Sequence, residues 1–384
     1  MADPAVTSTN LYNTTLQRWL KGYDDQTTEI HPLFAMLEAK GRIKYNGSGK
    51  FLQRTQRNKQ HSLEGYSDYE VIQFARQELF ENAKLPWRGL LMTGAISEKE
   101  SDENSGPEAK VRYCAEKLEI MKEDADDQLG AIFYLDGNLA ANSKKPHGIM
   151  SFMGYTQGSQ NATDAFATVP TDSYAELSTA LGAYGGTGVN SGATFRRNDD
   201  SPEWNAFTPI LVNATYNDGG GATTFAASAD KLIGRADVHA NHSGKAKDSL
   251  DFFAMRKASM LVLRDLLRTK ERIVAERGEA QSAIKAAGFT GAIAVDGVDC
   301  VIDAHVPATD GSGRTLHAIG WNCDRVSLTV LKNGNPNKTN KGLKFWQHSG
   351  VWEDPNQAVF KYWLRNYCNL MFQPRYFAMI SSLG

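Results

Sequence analysis

Residues 105–138 read SGPEAKVRYCAEKLEIMKEDADDQLGAIFYLDGN, and this stretch predicts one long helix. Ser105 and Glu108 have the spacing of a capping box, with Pro107 near the first helical position. Apolar residues then recur at helical steps of three or four: Val111, Ala115, Leu118, Met121, Ala125, Leu129 and Ile132. About thirty residues give a helix of about 45 Å, whereas the mean helix of a globular domain has about 11–12 residues.

The segment before this helix predicts a two-stranded ribbon. Residues 50–58 form a polar extended run after the turn-rich residues 46–49, and residues 69–79 form a second, more apolar run. The first run has only Phe51 and Leu52 as large apolar side chains, too few to bury a face. Isolated two-stranded ribbons are marginally stable in water. We therefore expect the ribbon to lie outside the core of its own subunit and to contact a neighbour.

The chain after the long helix predicts further strands and helices. Residues 146–221 are rich in Gly, Ser, Thr and Asn, which favours short strands and long loops. The remaining pattern predicts helices at 226–240 and 258–275, a buried strand at 250–255, a strand–turn–strand at 292–302, strands at 321–331 and 344–352, and closing strands at 358–379 that are interrupted at 373–375.

Composition limits the function classes. The 384 residues are 41% hydrophobic, enough for a sizeable core, and 42 basic residues nearly balance 44 acidic ones. A nucleic-acid-binding domain is usually basic overall, so this balance does not favour that class. No apolar run reaches about 18 residues, and residues 1–10 lack the pattern of a signal peptide. The first forty residues are polar except for a short amphipathic piece at 16–20, which suggests an arm that packs on something else.

The residues that resemble catalytic or metal-binding motifs have simpler interpretations. The glycine clusters at 185–188 and 219–221 lack the following Lys and Ser/Thr of a P-loop, so surface loops are favoured. His147, His239 and His242 lack a zinc-binding pattern, and the four cysteines form no CxxC pair. The sequences at 296–299 and 310–313 lack the closing Glu of a calcium loop, which favours turns. We expect no catalytic, cofactor-binding or metal site, and no enzyme.

The order of these parts resembles a known coat-protein fold. The resemblance lies in FLQR at 51–54 through YEVIQ at 69–73, the helical region 96–137, LDFFAM at 250–255, VDCVID at 298–303 and LMFQPRYF at 370–377. In this order the sequence is similar to the Hong Kong 97 fold of major capsid proteins of tailed bacteriophages. The resemblance covers nearly the whole chain from about residue 41, and it rests on order and spacing together.

The resemblance implies an α+β fold with named parts. These are an N-terminal arm at 1–44, an extended hairpin called the E-loop at 45–86, a peripheral domain with a long spine helix at 87–145, an axial domain at 146–343, and closing strands of the peripheral domain at 344–384. No long helical scaffolding segment precedes the arm, so scaffolding is expected to be a separate protein or unnecessary.

The resemblance also implies a function. Copies of the chain would form pentamers and hexamers and close into an icosahedral shell around double-stranded DNA, bound without sequence specificity. Cement, scaffolding and portal proteins are further candidate partners, and no membrane is involved. The expected location is the virion, after assembly in the host cytoplasm. Two alternatives stay open: an encapsulin-like compartment with protein cargo, and a soluble hydrolase of unusual fold.

Charge patterning suggests where copies meet. Six basic residues and no acid lie between Gly41 and Leu63: Arg42, Lys44, Lys50, Arg54, Arg57 and Lys59. The long helix carries Glu119, Glu123, Asp124, Asp126 and Asp127. In the resembled family the E-loop crosses a neighbour's spine helix, which implies contacts of Lys50, Arg54, Arg57 and Lys59 with Glu123, Asp124, Asp126 and Asp127. The alternative is that both patches are solvated faces of a soluble subunit.

Overall fold

A computed structural model describes most of the chain after residue 31. The described residues are 32–57, 65–68, 71, 74, 76, 80–103, 113–156, 172–180, 190–191, 194–195, 207–215, 223–241, 247–269, 293–332, 345–348, 352–353 and 358–382. Within them the helices are α1 Pro32–Ala39, α2 Glu98–Glu103, α3 Tyr113–Phe133, α4 Phe225–Ala240 and α5 Lys257–Thr269. The strands are β1 Ile43–Gly47, β2 Phe51–Arg57, β3 Phe80–Pro86, β4 Arg88–Ser97, β5 Ser173–Tyr174, β6 Leu177–Ser178, β7 Asn190–Ser191, β8 Thr194–Phe195, β9 Ile210–Asn213, β10 Phe252–Met255, β11 Ile293–Val295, β12 Val298–Ile302, β13 Leu316–Trp321, β14 Val326–Leu331, β15 Gln347–His348, β16 Trp352–Glu353, β17 Val359–Phe372 and β18 Ala378–Ser381.

The first sheet is built around the long strand β17. This strand pairs antiparallel with β4, from Val359↔Ser97 to Cys368↔Arg88, and also with β14, β15 and β16, while β1 adds parallel to β14. Alternate residues of β17, among them Leu364 and Cys368, are buried on one face. Helix α3 packs beside β4, and its buried residues Met121, Ala125, Leu129 and Phe133 recur every four positions along one face.

The second sheet has the strand order β11-β12-β10-β13-β18-β9. Its central strand β10 is parallel to β12 and antiparallel to β13. All four residues of β10 are fully buried, as expected for a continuous apolar run that is covered on both faces. Helices α4 and α5 cover one face, where Ala229, Leu232, Met260 and Leu263 join the same apolar cluster as the sheet residues.

Aromatic residues join the two sheets. Strand β17 leaves the first sheet at Phe372, a 3₁₀ turn covers Pro374–Tyr376, and β18 enters the second sheet at Ala378. The rings of Phe372 and Phe377 meet edge-on with centroids 5.3 Å apart, and Trp321 lies edge-on to Phe377 at 5.8 Å. Residues 344–384 therefore contribute strands to both sheets and not to the first sheet only.

Most of the described elements match the sequence-based expectations. The helix at 226–240, the buried strand at 250–255, the strand–turn–strand at 292–302 and the interrupted closing strands are confirmed. The expected start of the long helix at 105–108 lies outside the described residues. The single strand expected at 321–331 is wrong, because Asn322 caps a 3₁₀ turn at Cys323–Arg325 and separates β13 from β14.

Candidate intersubunit surface

Strands β2 and β3 form a ribbon that spans residues 51–86. They pair antiparallel from Phe51↔Pro86 to Arg57↔Phe80. The expectation that residues 69–79 supply the second strand is wrong, since the described residues there, Val71, Phe74 and Arg76, lie outside any strand. The pairing partner begins at Phe80, where the sequence ENAKLP has fewer β-branched residues than the run before it, so propensity pointed to the wrong segment.

The base of the ribbon packs on its own subunit. Ala83 and Leu85 are alternate residues of β3 and are buried in the main apolar cluster, and Leu52 packs against it. The backbone N–H of Lys84 donates to the carbonyl of Ala175 at 3.0 Å. The expected ribbon, made of residues 50–58 and 69–79, was to lie outside its own core; this is wrong at Leu52, and Ala83 and Leu85 lie in a strand that was not expected. The second strand supplies the buried face that the first strand lacks.

The outer part of the ribbon exposes large apolar side chains. The exposed fraction is 94% for Phe74, 81% for Val71, 67% for Tyr66 and 63% for Phe80. Exposed apolar residues in one place mark interaction sites more often than scattered ones do. This apolar end was not among the contact residues expected from charge. The sequence signal is present in VIQF at 71–74, which the sequence pattern assigns to the second strand of the ribbon.

The basic residues of the ribbon have different surroundings. Lys50 is exposed, and its ammonium lies 5.4 Å from the centroid of the Phe51 ring. Arg54 is half-buried; desolvation lowers the pKa of its guanidinium, and the nearby charge of Arg325 lowers it further. Arg54 therefore lies towards its own subunit. The side chain of Arg57 and the whole of Lys59 lie outside the described residues.

The four acidic residues of α3 that were expected at the contact divide into two pairs. Glu123 and Asp124 are exposed. Asp126 accepts a hydrogen bond of 2.6 Å from the indole N–H of Trp346, and desolvation raises the pKa of its carboxyl. Asp127 lies 3.2 Å from Nε2 of His305. Asp126, although itself exposed, and Asp127 thus contact residues that are distant in sequence, while Glu123 and Asp124 are exposed on the surface of α3.

An apolar groove runs between α3 and β4. It has a volume of about 280 Å³, and its lining includes Leu90, Met92, Ala125, Gln128, Ile132 and Trp346. The end of α3 beside it is held by Arg88, whose guanidinium donates to the carbonyls of Gly137 at 2.7 Å and Lys145 at 2.9 Å. The groove thus lies at the same helix that carries the acidic residues.

The other motifs have structural roles where they are described. Asp296 and Gly297 have φ values of 51° and 93°, so they form the tight turn between β11 and β12. Asp310 accepts backbone N–H bonds from Ser312 and Arg314 and stabilises a loop. In the described part of the chain, no three His, Cys, Asp or Glu side chains come together as metal ligands. His242 and the two glycine clusters fall outside the described residues.

Two further features concern cysteines and membranes. Cys300, Cys323 and Cys368 are free and buried, and burial raises the pKa of each thiol. No helix among the described residues is long and apolar enough to span a membrane.

Comparison with known proteins gives structural matches only. No protein-family model and no curated protein matches the sequence. The chain is similar to a chain of the cyanophage A-1(L) capsid, with 13% identity, a TM-score of 0.58, and coverage of 98% of this chain and 99% of that chain. It is also similar to the capsid of the native GTA particle, with 10% identity, a TM-score of 0.54 and full coverage of both chains.

A third match is the capsid of Myoviridae phage XM1, with 9% identity, a TM-score of 0.53 and full coverage of both chains. The three matches extend over nearly the entire length of every chain compared. The chain has the Hong Kong 97-type capsid fold.

Proposed function

We propose that this chain, which has the Hong Kong 97-type capsid fold, is the major capsid protein of a tailed bacteriophage. Its copies form pentamers and hexamers that close into an icosahedral shell around double-stranded DNA. The chain is a structural protein of the virion and catalyses no reaction. Cement, scaffolding and portal proteins are candidate partners, and the host cytoplasm is the proposed place of assembly.

The observation that carries this proposal is a whole-length fold match in a subunit that exposes large apolar residues in the ribbon. The first match covers 98% of this chain and 99% of the capsid chain. Phe74 is 94% exposed and Val71 is 81% exposed, and water is an unfavourable environment for both. Contact with neighbouring copies would bury these side chains.

Electron microscopy of the purified full chain tests the proposal. Closed shells of uniform diameter are expected, and particles recovered from infected cells should hold DNA that resists nuclease until the shell is opened. Shells that hold only protein cargo would favour the encapsulin-like alternative. A protein that stays monomeric at every concentration and salt condition would contradict the proposal and reopen the hydrolase alternative.

We further propose that the ribbon of one copy crosses helix α3 of its neighbour. Lys50 and Lys59 would face the exposed acids Glu123 and Asp124, while the apolar end of the ribbon would be buried at the same contact. An exposed ion pair contributes only about 0–1 kcal/mol. Burial of a large apolar side chain contributes about 1.5–3 kcal/mol. The apolar residues would therefore supply most of the affinity, and the charges would set orientation.

A charge reversal tests this contact. The double variant Lys50→Glu with Lys59→Glu should slow shell assembly more than the control Lys144→Glu with Lys231→Glu, which makes the same change in net charge at two exposed positions away from the ribbon. Arg54 is left unchanged because it lies towards its own subunit. Equal effects of the two double variants on light-scattering assembly curves would contradict the pairing.

Salt gives a second measurement. The Debye length falls from about 10 Å at 0.1 M to about 3 Å at 1 M, so exposed charge pairs weaken as salt rises. Assembly of the unchanged protein should slow with salt, and the double variant at Lys50 and Lys59 should show a smaller slope. An unchanged slope in the variant would mean that these two lysines do not face a neighbour's acids.

A further inference from the structure

The groove between α3 and β4 is apolar and open along the side of the subunit. Leu91 beside it is 68% exposed, and Ile120, further along α3, is 38% exposed. Its volume of about 280 Å³ is at the lower end for ligand sites, which hold about 300–1,000 Å³. The groove is therefore suited to a few side chains of a polypeptide segment.

The N-terminal segment of the same chain approaches the described structure close to this groove. Helix α1 begins at Pro32, and the ring of Phe34 lies edge-on to Phe345 with centroids 5.6 Å apart. Phe345 in turn lies edge-on to Trp346 at 5.1 Å, and Trp346 lines the groove. Residues 1–31 thus join the described chain two ring contacts away from the groove wall.

This segment contains an apolar pattern with helical spacing. Tyr12, Leu16, Trp19, Leu20 and Tyr23 stand at i, i+4, i+7, i+8 and i+11, which places them on one face of a helix. An amphipathic helix with such a face is a common occupant of apolar grooves. We propose that residues 12–23 dock by this face into the α3–β4 groove of their own chain.

Charge complementarity supports docking of this segment in the groove and indicates the direction in which the segment runs along α3. Arg18 and Lys21 lie on the segment, and Asp24 and Asp25 follow it. At one end of the groove, the exposed Asp124 lies one turn before the lining residue Gln128 on the same face of α3. At the other end, the groove is lined by the exposed Lys145. A segment that runs parallel to α3 brings opposite charges together at both ends.

The connection is long enough for docking within one chain. Eight residues, 24–31, link the segment to Pro32. An extended chain spans up to about 3.3–3.6 Å per residue, so this linker can reach about 26–29 Å. This reach is sufficient, because Trp346 in the groove wall is separated from Phe34 only by the ring of Phe345. A short tether also raises the effective concentration of the segment, which favours its own groove over that of a neighbour.

Photo-crosslinking in the full-length subunit tests the proposal without any shell formation. Photoreactive benzoylphenylalanine replaces Trp19, and mass spectrometry locates the adducts. Adducts on residues 90–92 and 120–135 of the same chain are expected. A mixture of isotope-labelled and unlabelled subunits distinguishes adducts within one chain from adducts between chains. Benzoylphenylalanine at Gln17, on the other face of the segment, is the matched control and should give few groove adducts.

A variant of the groove supplies a second measurement. Ala131 is an exposed lining residue, so Ala131→Trp should fill the groove without disturbing the core. This change should lower the crosslink yield from position 19 at least about tenfold, since a blocked aromatic anchor removes most of the affinity of such a contact. The control Ala140→Trp changes an exposed alanine outside the groove and should leave the yield unchanged. Adducts elsewhere, adducts only between chains, or no adducts from position 19 would each overturn the proposal.

Discussion

The second sheet and the ribbon are both made of strands, but they place their apolar residues in opposite environments. Phe252, Phe253 and Met255 in β10 are fully buried between neighbouring strands and helices of their own chain. In the ribbon, Phe74 is 94% exposed, while Ala83 and Leu85 at the base are buried. The sheet therefore contributes to the stability of the subunit through buried apolar residues, while the ribbon leaves large apolar side chains exposed.

The largest loss of subunit stability is expected from a substitution of Trp321, one of the aromatic residues that join the two sheets. Trp321 is fully buried and lies edge-on to Tyr134 at 5.7 Å. Trp321→Ala should lower the free energy of unfolding by about 3–5 kcal/mol, because it leaves a cavity that the packed rings cannot fill. Urea denaturation of the unassembled subunit measures the change. A loss below about 1 kcal/mol would show that the junction is not a rigid core.

Lowering the pH should destabilise the folded subunit through protonation of the buried His147. Desolvation, with a smaller contribution from Arg88, lowers the pKa of His147 to about 4 from its ordinary value of 6.5. The unfolded chain then binds a proton that the folded chain does not, so stability is lost as pH falls from about 6.5 to about 4. The loss amounts to about 3 kcal/mol.

The His147→Gln variant isolates this contribution. It should flatten the pH dependence of the unfolding free energy between pH 6.5 and 4, and the control His239→Gln should not. His317, whose pKa burial also lowers to about 4, and Asp172, whose pKa burial raises to about 6, keep their own contributions in both variants. An identical pH slope in the wild type and in His147→Gln would contradict the assignment.

A smaller effect is expected at the tight turn of the second sheet. Gly297 has a φ of +93°, and the space where a Cβ would lie is empty. Gly297→Ala should therefore cost about 1–2 kcal/mol through backbone strain alone. Gly311 also has open space around it but no left-handed φ, so Gly311→Ala is a matched control with a change near zero. Thermal unfolding of the two variants gives the comparison.

The smallest effect on the subunit is expected at the end of the ribbon, where Phe74→Ser should change the unfolding free energy by no more than about 0.5 kcal/mol. The side chain is 94% exposed and leaves no cavity. Shell assembly should nevertheless be strongly impaired, because the apolar contact with a neighbour is lost. If Phe74→Ser instead destabilised the free subunit by several kcal/mol, the contrast between ribbon and sheet would be wrong.

Several parts of the fold could be predicted from local pattern. The helical period placed α4, α5 and most of α3, and the continuous apolar run LDFFAM placed β10. The Asp296-Gly297 pair predicted a hairpin turn, since both positions need a positive φ that few residue pairs adopt readily. Each of these signals acts over a few residues, so a single sequence carries it completely.

The candidate surface was predicted only in part. The acidic residues of α3 and the basic residues of the ribbon were identified by charge, but charge alone does not show which side chains have partners. Asp126 is bonded to Trp346, 220 residues away in sequence, and Arg54 is half-buried near Arg325. The groove between α3 and β4 is also formed by segments that are distant in sequence, and no local pattern predicts its shape.

The sequence by itself determined the helices, the buried strand at 250–255, the turn at 296–297 and the balance of charge, because periodicity, turn chemistry and composition depend on neighbours along the chain. Only the tertiary structure decided the partner of β2, the division of the closing strands between two sheets, and which apolar residues stay exposed. Strand pairing and burial depend on which distant segments meet, and residues 69–79 have a better strand composition than residues 80–86. The segment that pairs is the one whose alternate residues, Ala83 and Leu85, can enter the core.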